Sequence, residues 1–469
     1  MVVGTDAEGR IASLLGDDSP EFSTRADDVE LGTVVPGMGD AHSHAFHRVL
    51  RGRTHADGGD FWQWRRGMYQ AAAALDPDLY RELALGVFGE MVAAGWTAVG
   101  EFHYVHHRRD GSPYDPPHAM ELALASAAEE VGIRLVLLDT LYLDGGVDTP
   151  LSADQRRFGD ASAERWLERW HSLREAIAGY SSLVTLGAAV HSTRAVPPAA
   201  LAAVAAGLPA DVPLHVHLSE QPQENSDVRA GYGVTPTRLL ADAGLLTPRL
   251  SVVHATHLTP EDIGMLGHAG VFVVMCPTTE ADLGDGIGPA RALADAGARI
   301  ALGSDQNAVV DPFLEMRGLE AGERLASGRR GRFAPAELWV AAGTAGYAAL
   351  GLAPVAAVGC ENRRISSVDP RSADESAPHA TDLLQSQHLP LTVGAWADFV
   401  EIDTGSVRTV GSDPAQLPLS ATASDVLRVV VGGRVVADRG VLTGGAPQPA
   451  EALDRAIIEI GRRSEGAPS

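Results

Sequence analysis

The chain has 469 residues, of which 45% are hydrophobic and 21% charged, as in an ordinary globular protein with one large domain and a small accessory one. Its formal net charge of −24 disfavours a nucleic-acid backbone or an anionic membrane as a partner. The first residues lack the basic-then-apolar pattern of a signal peptide, and no apolar stretch approaches the length of a membrane span. We therefore expect a cytoplasmic protein.

The sequence contains no lysine, so all 37 of its basic residues are arginines. This absence excludes Schiff-base chemistry, covalent attachment of pyridoxal phosphate and a phosphate-binding loop with its lysine. It also excludes a carbamylated lysine that bridges two metal ions. Any metal centre is therefore expected to hold a single ion. Of the 2 cysteines, Cys276 ends an apolar run and is predicted to be a buried small hydrophobic residue.

Eight apolar or β-branched runs alternate with segments of helical spacing, such as Asp78–Ala94, Ala119–Val131 and Pro236–Ala243. The runs are Val34–His44, Trp96–Phe102, Arg134–Tyr142, Val184–Ser192, Pro213–Glu220, Leu250–His257, Gly270–Pro277 and Arg299–Gln306. Glycines stand where the helices should end: Gly95, Gly132, Gly244 and Gly297. Runs that are apolar throughout are typical of a parallel sheet covered by helices. The pattern predicts an α/β protein with a TIM-type (β/α)8 barrel at residues 34–360, whose active site lies at the C-terminal ends of the strands.

Both ends of the chain carry short strand signals with turn residues. Residues 1–33 and 391–445 are predicted to form one small, discontinuous β-sandwich, with Gly432-Gly433 as a hairpin turn between Val-rich halves. Residues 361–390 are rich in Ser, Asp, Pro and His and predict a mobile surface insertion, whose His379 and His388 should be solvated. Residues 446–469 are predicted to form a C-terminal helix and tail.

Candidate metal ligands stand at the same end of four different runs. His42 and His44 end the first run, while His217, His254 and Asp305 lie near the ends of the fifth, sixth and eighth. A lone His-x-His pair is weak evidence, because alternate residues of a strand share a face in any case. Several imidazoles and one carboxylate converging from separate strand ends provide what a divalent metal needs, with a position left open for water.

These segments resemble the amidohydrolase superfamily and, within it, the formimidoylglutamate deiminase family. The likeness spans roughly residues 34–330, with its segments in the family's order. The segments are Pro36-Gly37-Met38, His42-Ser43-His44-Ala45-Phe46, Trp62-Gln63-Trp64-Arg65, the run from Gly100 to His107, the run from His215 to Gln221, His254-Ala255-Thr256-His257, Cys276-Pro277-Thr278-Thr279-Glu280 and Gly303-Ser304-Asp305. The segments around Trp62–Arg65 and Phe102–Tyr104 are more diagnostic of the subgroup than the ligands, which many deaminases share.

The resemblance implies one zinc ion per chain, held by His42, His44, His217 and Asp305. It implies hydrolytic deimination of N-formimino-L-glutamate to N-formyl-L-glutamate and ammonia, a step of histidine breakdown. Asp305 would accept the proton of the attacking water, and Glu220 would protonate the departing nitrogen. His254 would steady the developing charge as a second catalytic side chain.

The resemblance also assigns substrate binding to His47, Arg65, Tyr104, His191 and Arg194. The implied substrate carries two carboxylates, which guanidinium groups bind in bidentate fashion. Two positions depart from the family: His47 stands where Gln is usual, and Gln306-Asn307 where many members read Ser-His. Both are expected to border the substrate pocket. The implied partner is therefore a small dicarboxylate, and a homodimer is left open.

Each assignment has a plainer alternative. His215 is expected to fill a layer of the barrel, and His55, His106 and His107 to be exposed loop residues. The two arginines could form ordinary surface ion pairs. Glu101 could be structural, and Glu280 either structural or functional. At the level of function, the alternatives are a deaminase of a purine or other heterocycle, disfavoured by only 5% aromatic residues, and a catalytically idle barrel.

Overall fold

The computed structural model describes residues 2–15, 29–55, 61–352 and 392–465. Strands within these residues, numbered in chain order, are β1 Val2–Thr5, β2 Ile11–Leu15, β3 Thr33–Pro36, β4 Met38–Ser43, β5 Trp96–His103, β6 Arg134–Leu141, β7 Val184–Ser192, β8 Leu214–Leu218, β9 Leu250–His254, β10 Phe272–Met275, β11 Arg299–Leu302, β12 Phe399–Ile402, β13 Val426–Val431, β14 Arg434–Asp438 and β15 Val441–Leu442. The segments predicted at residues 361–390, with His379 and His388, lie outside the described residues.

Strands β4 to β11 form one 8-stranded parallel sheet in chain order, which confirms the predicted barrel. The sheet closes where the residues after β11 meet the end of β4. There the Asp305 N–H donates to the His42 carbonyl over 2.9 Å, and the His44 N–H donates to the Asp305 carbonyl over 2.9 Å. Closure therefore depends on three of the residues expected to bind metal.

The first predicted strand, Val34–His44, is wrong as a single element, because it divides between two sheets at Gly37. β3 lies in the small antiparallel sheet and β4 in the barrel. The Gly37 N–H donates to the Asp398 carbonyl over 2.8 Å, and a Cβ atom at this position would lie 2.5 Å from the Thr97 Oγ1. The chain changes sheets here because only a residue without a side chain fits so close a crossing.

Helices pack around the barrel and over its mouth. They are α1 Phe61–Ala74, α2 Pro77–Ala94, α3 Ala119–Val131, α4 Ala163–Ala176, α5 Pro198–Gly207, α6 Pro222–Tyr232, α7 Pro236–Asp242, α8 Pro260–Ala269, α9 Pro277–Leu283, α10 Ala290–Ala296, α11 Pro312–Ser327, α12 Pro335–Ala342, α13 Thr344–Ala349 and α14 Pro449–Glu465. Gly95, Gly132 and Gly297 end α2, α3 and α10 with φ of +109°, +87° and +112°. The predicted helix stops at these glycines are confirmed, because each needs the left-handed conformation.

The chain ends supply the second β-structured part. β3 and β12 to β15 form a 5-stranded antiparallel sheet, and β1 pairs with β2 in a separate hairpin. The hairpin packs on the sheet through Ile11, which clusters with Phe399 and Val430. Gly432 and Gly433 have φ of +58° and +75°, so the predicted hairpin turn between β13 and β14 is confirmed.

Within the described residues, the structure has no helix of sufficient length and apolarity to span a bilayer.

Candidate metal centre and active site

Four side chains bring their metal-binding atoms together at the C-terminal end of the barrel strands. The Nε2 of His217, on β8, lies 3.2 Å from the Nε2 of His42 and 3.3 Å from the Nε2 of His44. The Oδ1 of Asp305, just after β11, lies 3.4 Å from the His42 Nε2 and 3.5 Å from the His44 Nε2. All four side chains are buried.

Four of the six separations among these atoms fit ligands of one metal ion. With metal–ligand bonds of about 2.0–2.1 Å, two ligand atoms of a tetrahedral zinc site lie about 3.3–3.4 Å apart. The four separations given above range from 3.2 to 3.5 Å. Three imidazoles and one carboxylate are a donor set that zinc accepts. The residues therefore fit a single divalent ion.

Hydrogen bonds to the outer ring nitrogens aim two of the imidazoles inward. The Nδ1 of His44 lies 2.8 Å from the Phe102 carbonyl, and the Nδ1 of His217 lies 2.9 Å from the His191 carbonyl. A proton donated there leaves the lone pair of Nε2 free for a metal. Burial lowers the pKa of His42, His44 and His217 well below the usual value, so that all three rings are neutral, as ligands must be.

The two other proposed catalytic residues, Glu220 and His254, lie next to each other and to the metal ligands. The Nε2 of His254 lies 3.9 Å from the Oε1 of Glu220 and 3.8 Å from the Oδ2 of Asp305. His254 and Asp305 have φ of +68° and +47°, the left-handed region that side chains other than glycine seldom adopt. Such strain persists where the surrounding structure enforces it, commonly at functional sites. It turns both side chains off their strand ends into the barrel mouth.

Neighbouring carboxylates favour the protonated form of His254. Although burial opposes the charge, Glu220, Glu280 and Asp305 together raise the pKa of His254 to about 10. The Oε1 of Glu280 lies 3.5 Å from the His254 Nδ1 and also accepts the Cys276 N–H over 2.9 Å. A buried imidazolium here can donate a proton or stabilise negative charge beside the metal ligands.

One cavity joins the predicted substrate-binding residues to the predicted catalytic ones. Its floor carries His44, His217, Glu220, His254 and Asp305. Its walls include all five predicted substrate residues: His47, Arg65, Tyr104, His191 and Arg194. The structure thus brings together residues that are spread over most of the barrel sequence.

Arg194 presents its guanidinium to this cavity without a direct ion pair among the described residues. In the described parts of the chain, no carboxylate oxygen lies within 4.0 Å of its guanidinium, and its buried Nε has no hydrogen-bond partner. Although burial opposes the charge, Glu224 and Glu220 raise the pKa of Arg194. Arg65, on α1, instead donates from Nε to the Tyr69 hydroxyl over 2.9 Å. A surface ion pair is therefore the wrong interpretation of Arg194.

His47 is held beside Tyr104 at the edge of the metal cluster. Its Nε2 lies 2.9 Å from the Tyr104 hydroxyl, and its ring centroid lies 4.5 Å from that of His44. Burial lowers the pKa of His47 to about 3, so the ring is neutral. A neutral imidazole still offers one N–H donor to a bound carboxylate.

Comparison with known proteins gives consistent matches. The model of the amidohydrolase family matches residues 33–358. The chain is 39% identical over 332 residues to formimidoylglutamate deiminase of Pseudomonas aeruginosa, covering 70% of this chain and 71% of that protein. The crystal structure of an amidohydrolase from Brucella melitensis superimposes with a TM-score of 0.81 at 31% identity, covering 98% of this chain and 95% of that one.

The chain belongs to the amidohydrolase family. It is 30% identical over 363 residues to a 5-methylthioadenosine/S-adenosylhomocysteine deaminase of Halobacterium salinarum, with 74% of each chain covered. Membership makes this protein a hydrolase of a metal-dependent family, and the buried His/Asp cluster supplies the expected donors.

In this amidohydrolase two expected pocket residues lie behind the site instead. Gln306 and Asn307 are buried and do not line the cavity. The Asn307 amide donates to the His44 and Asp305 carbonyls over 3.1 and 3.2 Å, joining the end of β4 to the turn after β11. The Trp64 indole donates to the Gln306 side chain over 2.7 Å. Both residues brace the site, because the left-handed turn at Asp305 carries the following residues away from the mouth.

The predicted exposure of His106 is wrong. Its side chain is buried, with Nδ1 2.8 Å from the Glu121 Oε1 and Nε2 2.9 Å from the Thr140 carbonyl. His215 is a core residue, as expected, with Nε2 3.0 Å from the Ala349 carbonyl. A histidine in a polar loop sequence gives no sign of a carboxylate that approaches from the next helix.

Sequence reasoning missed an aromatic wall of the cavity. Tyr69, Tyr142 and Phe158 line it, and the ring centroids of Tyr142 and His191 lie 4.3 Å apart. It also missed Asp285, which accepts a hydrogen bond from the Gln221 side chain next to Glu220. Tyr69 lies on α1 and the others lie in connections without a diagnostic motif, so only the folded chain reveals them.

Proposed function

We propose that this enzyme hydrolytically deiminates N-formimino-L-glutamate to N-formyl-L-glutamate and ammonia, a step of histidine breakdown, with one zinc ion per chain. The observation that carries the proposal is the pair Arg65 and Arg194 in the wall of a cavity whose floor is the His/Asp cluster. Two guanidinium groups match the two carboxylates of this substrate. The similarity to formimidoylglutamate deiminase over 70% of the chain supports the same substrate.

The substrate's orientation follows from this placement. With its carboxylates at the two arginines, the formimino carbon points towards the cavity floor. His42, His44, His217 and Asp305 would hold the ion; when bound, zinc lowers the pKa of water and supplies a hydroxide nucleophile near neutral pH.

The chain's own residues manage the protons. Asp305 accepts a proton as the water oxygen attacks the formimino carbon and the C=N bond becomes single. Glu220 donates a proton to the terminal nitrogen in the same step, which makes that nitrogen an amine. The hydroxyl proton of the resulting tetrahedral adduct then moves to this nitrogen, so that the C–N bond breaks with release of ammonia and the C=O bond of the formyl group forms. The proton held by Asp305 returns to Glu220. The imidazolium of His254, 3.8 Å from Asp305, stabilises negative charge in the transition state.

The test is ammonia release by the purified protein from a panel of substrates. The panel contains N-formimino-L-glutamate, guanidino-acids of similar length, adenosine and 5′-methylthioadenosine. We expect N-formimino-L-glutamate to give the highest kcat/KM. A preference for an uncharged purine nucleoside would replace the proposal with the heterocycle deaminase that the Halobacterium relative represents. If the protein showed no activity and bound no metal, the remaining hypothesis would be a catalytically idle barrel.

A further inference from the structure

A second concave surface lies beside the active-site cavity. This groove has a volume of about 520 Å³, and Tyr69 lines both it and the active-site cavity. Arg66, Arg109 and Arg463 also line it, and we call it the arginine groove. Arg66 lies on α1, which follows β4, and Arg109 lies in the connection after β5. Connections that follow barrel strands lie on the active-site face, so the groove opens there.

Two of the groove's arginines have no carboxylate to neutralise them. Arg66 and Arg109 are exposed, and neither has a carboxylate oxygen within 4.0 Å in the parts of the chain that the structure describes. Arg463 differs, since it binds Asp76 with an N–O distance of 2.7 Å. One carboxylate side chain, that of Asp154, is part of the described lining. Among the described residues, two arginines along the groove's edge therefore lack a paired carboxylate.

Neighbouring loops extend this positive surface. Arg108 and Arg156 are exposed next to the groove, and within the described ranges neither lies within 4.0 Å of a carboxylate oxygen. The whole chain has a net charge of −24, so these exposed arginines form a local positive surface on an acidic protein. Such a local positive potential attracts small anions and raises their concentration nearby. The surface lies next to a cavity for which we propose a dianionic substrate.

We propose that the arginine groove is a second anion site, which captures the small dicarboxylate substrate before it enters the active-site cavity. The inference rests on the proposed function for the identity of that substrate. Arg66 and Arg109 can each engage one carboxylate in bidentate fashion. Capture of this kind acts over about 10 Å at 0.1 M salt and over about 3 Å at 1 M, so it must weaken as the ionic strength rises.

The first test is the ionic-strength dependence of kcat/KM for N-formimino-L-glutamate. The variant is Arg66→Gln/Arg109→Gln, and the matched control is Arg329→Gln/Arg330→Gln, an exposed pair beyond the end of α11. Both remove two charges, but only the first changes the groove. Given that steering alters on-rates by about 10- to 1000-fold in favourable cases, we expect kcat/KM to fall about 3- to 10-fold at low salt, in the groove variant alone and through KM.

A high-salt measurement and a charge-conserving variant distinguish electrostatic capture from a structural effect. The deficit should vanish at about 0.5 M salt, where screening is nearly complete, and Arg66→Lys/Arg109→Lys should keep most of the wild-type kcat/KM because it keeps the charge. Equal kcat/KM in the groove variant and the control at low salt would overturn the proposal. A deficit that persists at high salt, or that appears in kcat, would overturn it as well, since either result indicates a structural effect.

The second test separates this inference from the proposed function. Glutarate, which has two carboxylates and no formimino group, is titrated into each variant by calorimetry at low salt. We expect its Kd to rise at least about threefold in Arg66→Gln/Arg109→Gln and to stay unchanged in the control. An unchanged Kd in the groove variant would refute the second anion site. If the wild type does not deiminate N-formimino-L-glutamate, the proposed function fails, while this titration still decides the groove.

Discussion

The Nε2 atoms of His42 and His217 lie 3.2 Å apart, although 175 residues separate them in the chain. Each ring stands at the end of a barrel strand, and the outer nitrogen of His217 is held by the His191 carbonyl over 2.9 Å. Two imidazole nitrogens at this distance repel each other's lone pairs unless a proton or a cation lies between them. The fold thus supports an arrangement that is favourable with a metal ion bound.

The first prediction concerns metal content. We expect about one tightly bound divalent ion per chain, most consistent with zinc, and its loss in His42→Ala or Asp305→Ala, because each substitution removes one of four ligands. Elemental analysis of the purified proteins measures this. His215→Gln, which alters a core histidine outside the cluster, should keep the metal. Two equivalents per chain, or none in an active preparation, would contradict the assignment.

The second prediction concerns Glu220. Glu220→Gln should keep the metal and the fold but lower kcat by roughly 100-fold or more, the usual scale for losing general acid–base catalysis. Steady-state ammonia release and elemental analysis of the same preparation test it together. Near wild-type turnover in this variant would show that Glu220 is structural and that it does not protonate the departing nitrogen.

The third prediction concerns the two arginines of the cavity wall. Arg65→Met and Arg194→Met should each lose about 2–4 kcal/mol of transition-state binding, or roughly 30- to 1000-fold in kcat/KM, because each removes a charge-assisted contact. The metal content should persist in both. A substrate that lacks one carboxylate should lose much less in one variant than in the other, which shows which arginine faces that carboxylate. Normal processing of N-formimino-L-glutamate by both variants would be incompatible with the proposed substrate.

The fourth prediction concerns His47, where the chain departs from the family it resembles. His47→Gln should retain activity on N-formimino-L-glutamate, because a glutamine amide can replace the N–H donor and still reach the Tyr104 hydroxyl, now 2.9 Å from the His47 Nε2. The measurement is kcat/KM beside that of the wild type. Abolished activity with the metal still bound would mean that the cavity is built for a different ligand.

The fifth prediction concerns the junction between the barrel and the small sheet. Arg134 and Asp398 form a buried ion pair with N–O distances of 2.6 and 3.0 Å, and Asp398 also accepts the Tyr347 hydroxyl over 2.7 Å. Asp398→Asn should lower the free energy of unfolding by about 3–5 kcal/mol, because it leaves a buried guanidinium without its counter-charge. Denaturant unfolding measures this.

A matched substitution at the surface gives the reference for that measurement. Glu168 pairs with Arg165 but is 63% exposed, so Glu168→Gln should cost no more than about 1 kcal/mol. A loss of similar size in both variants would show that the buried pair at Asp398 has no special role in joining the two parts of the fold.

Much of this protein is predictable from its sequence, for a local reason. The alternation of apolar runs with helical segments predicts a barrel, because the periodicity of a strand or a helix can be recognised within a short stretch of sequence. Parallel strands present their C-terminal ends on one face, so residues such as His42, His217 and Asp305 could be expected to meet. Because the strand ends share one face, the sequence also predicts that the residues following them line one cavity.

Tertiary structure alone decided where the chain crosses between sheets and which polar residues face the cavity. Val34–His44 reads as one strand, but a close approach by Thr97 and Asp398 to Gly37 divides it. Asn307 reads as a pocket residue, but the left-handed turn at Asp305 directs it behind the metal ligands. Such outcomes depend on contacts between segments distant in the chain, such as Gly37 with Asp398 and Asn307 with His44, and no local pattern encodes them.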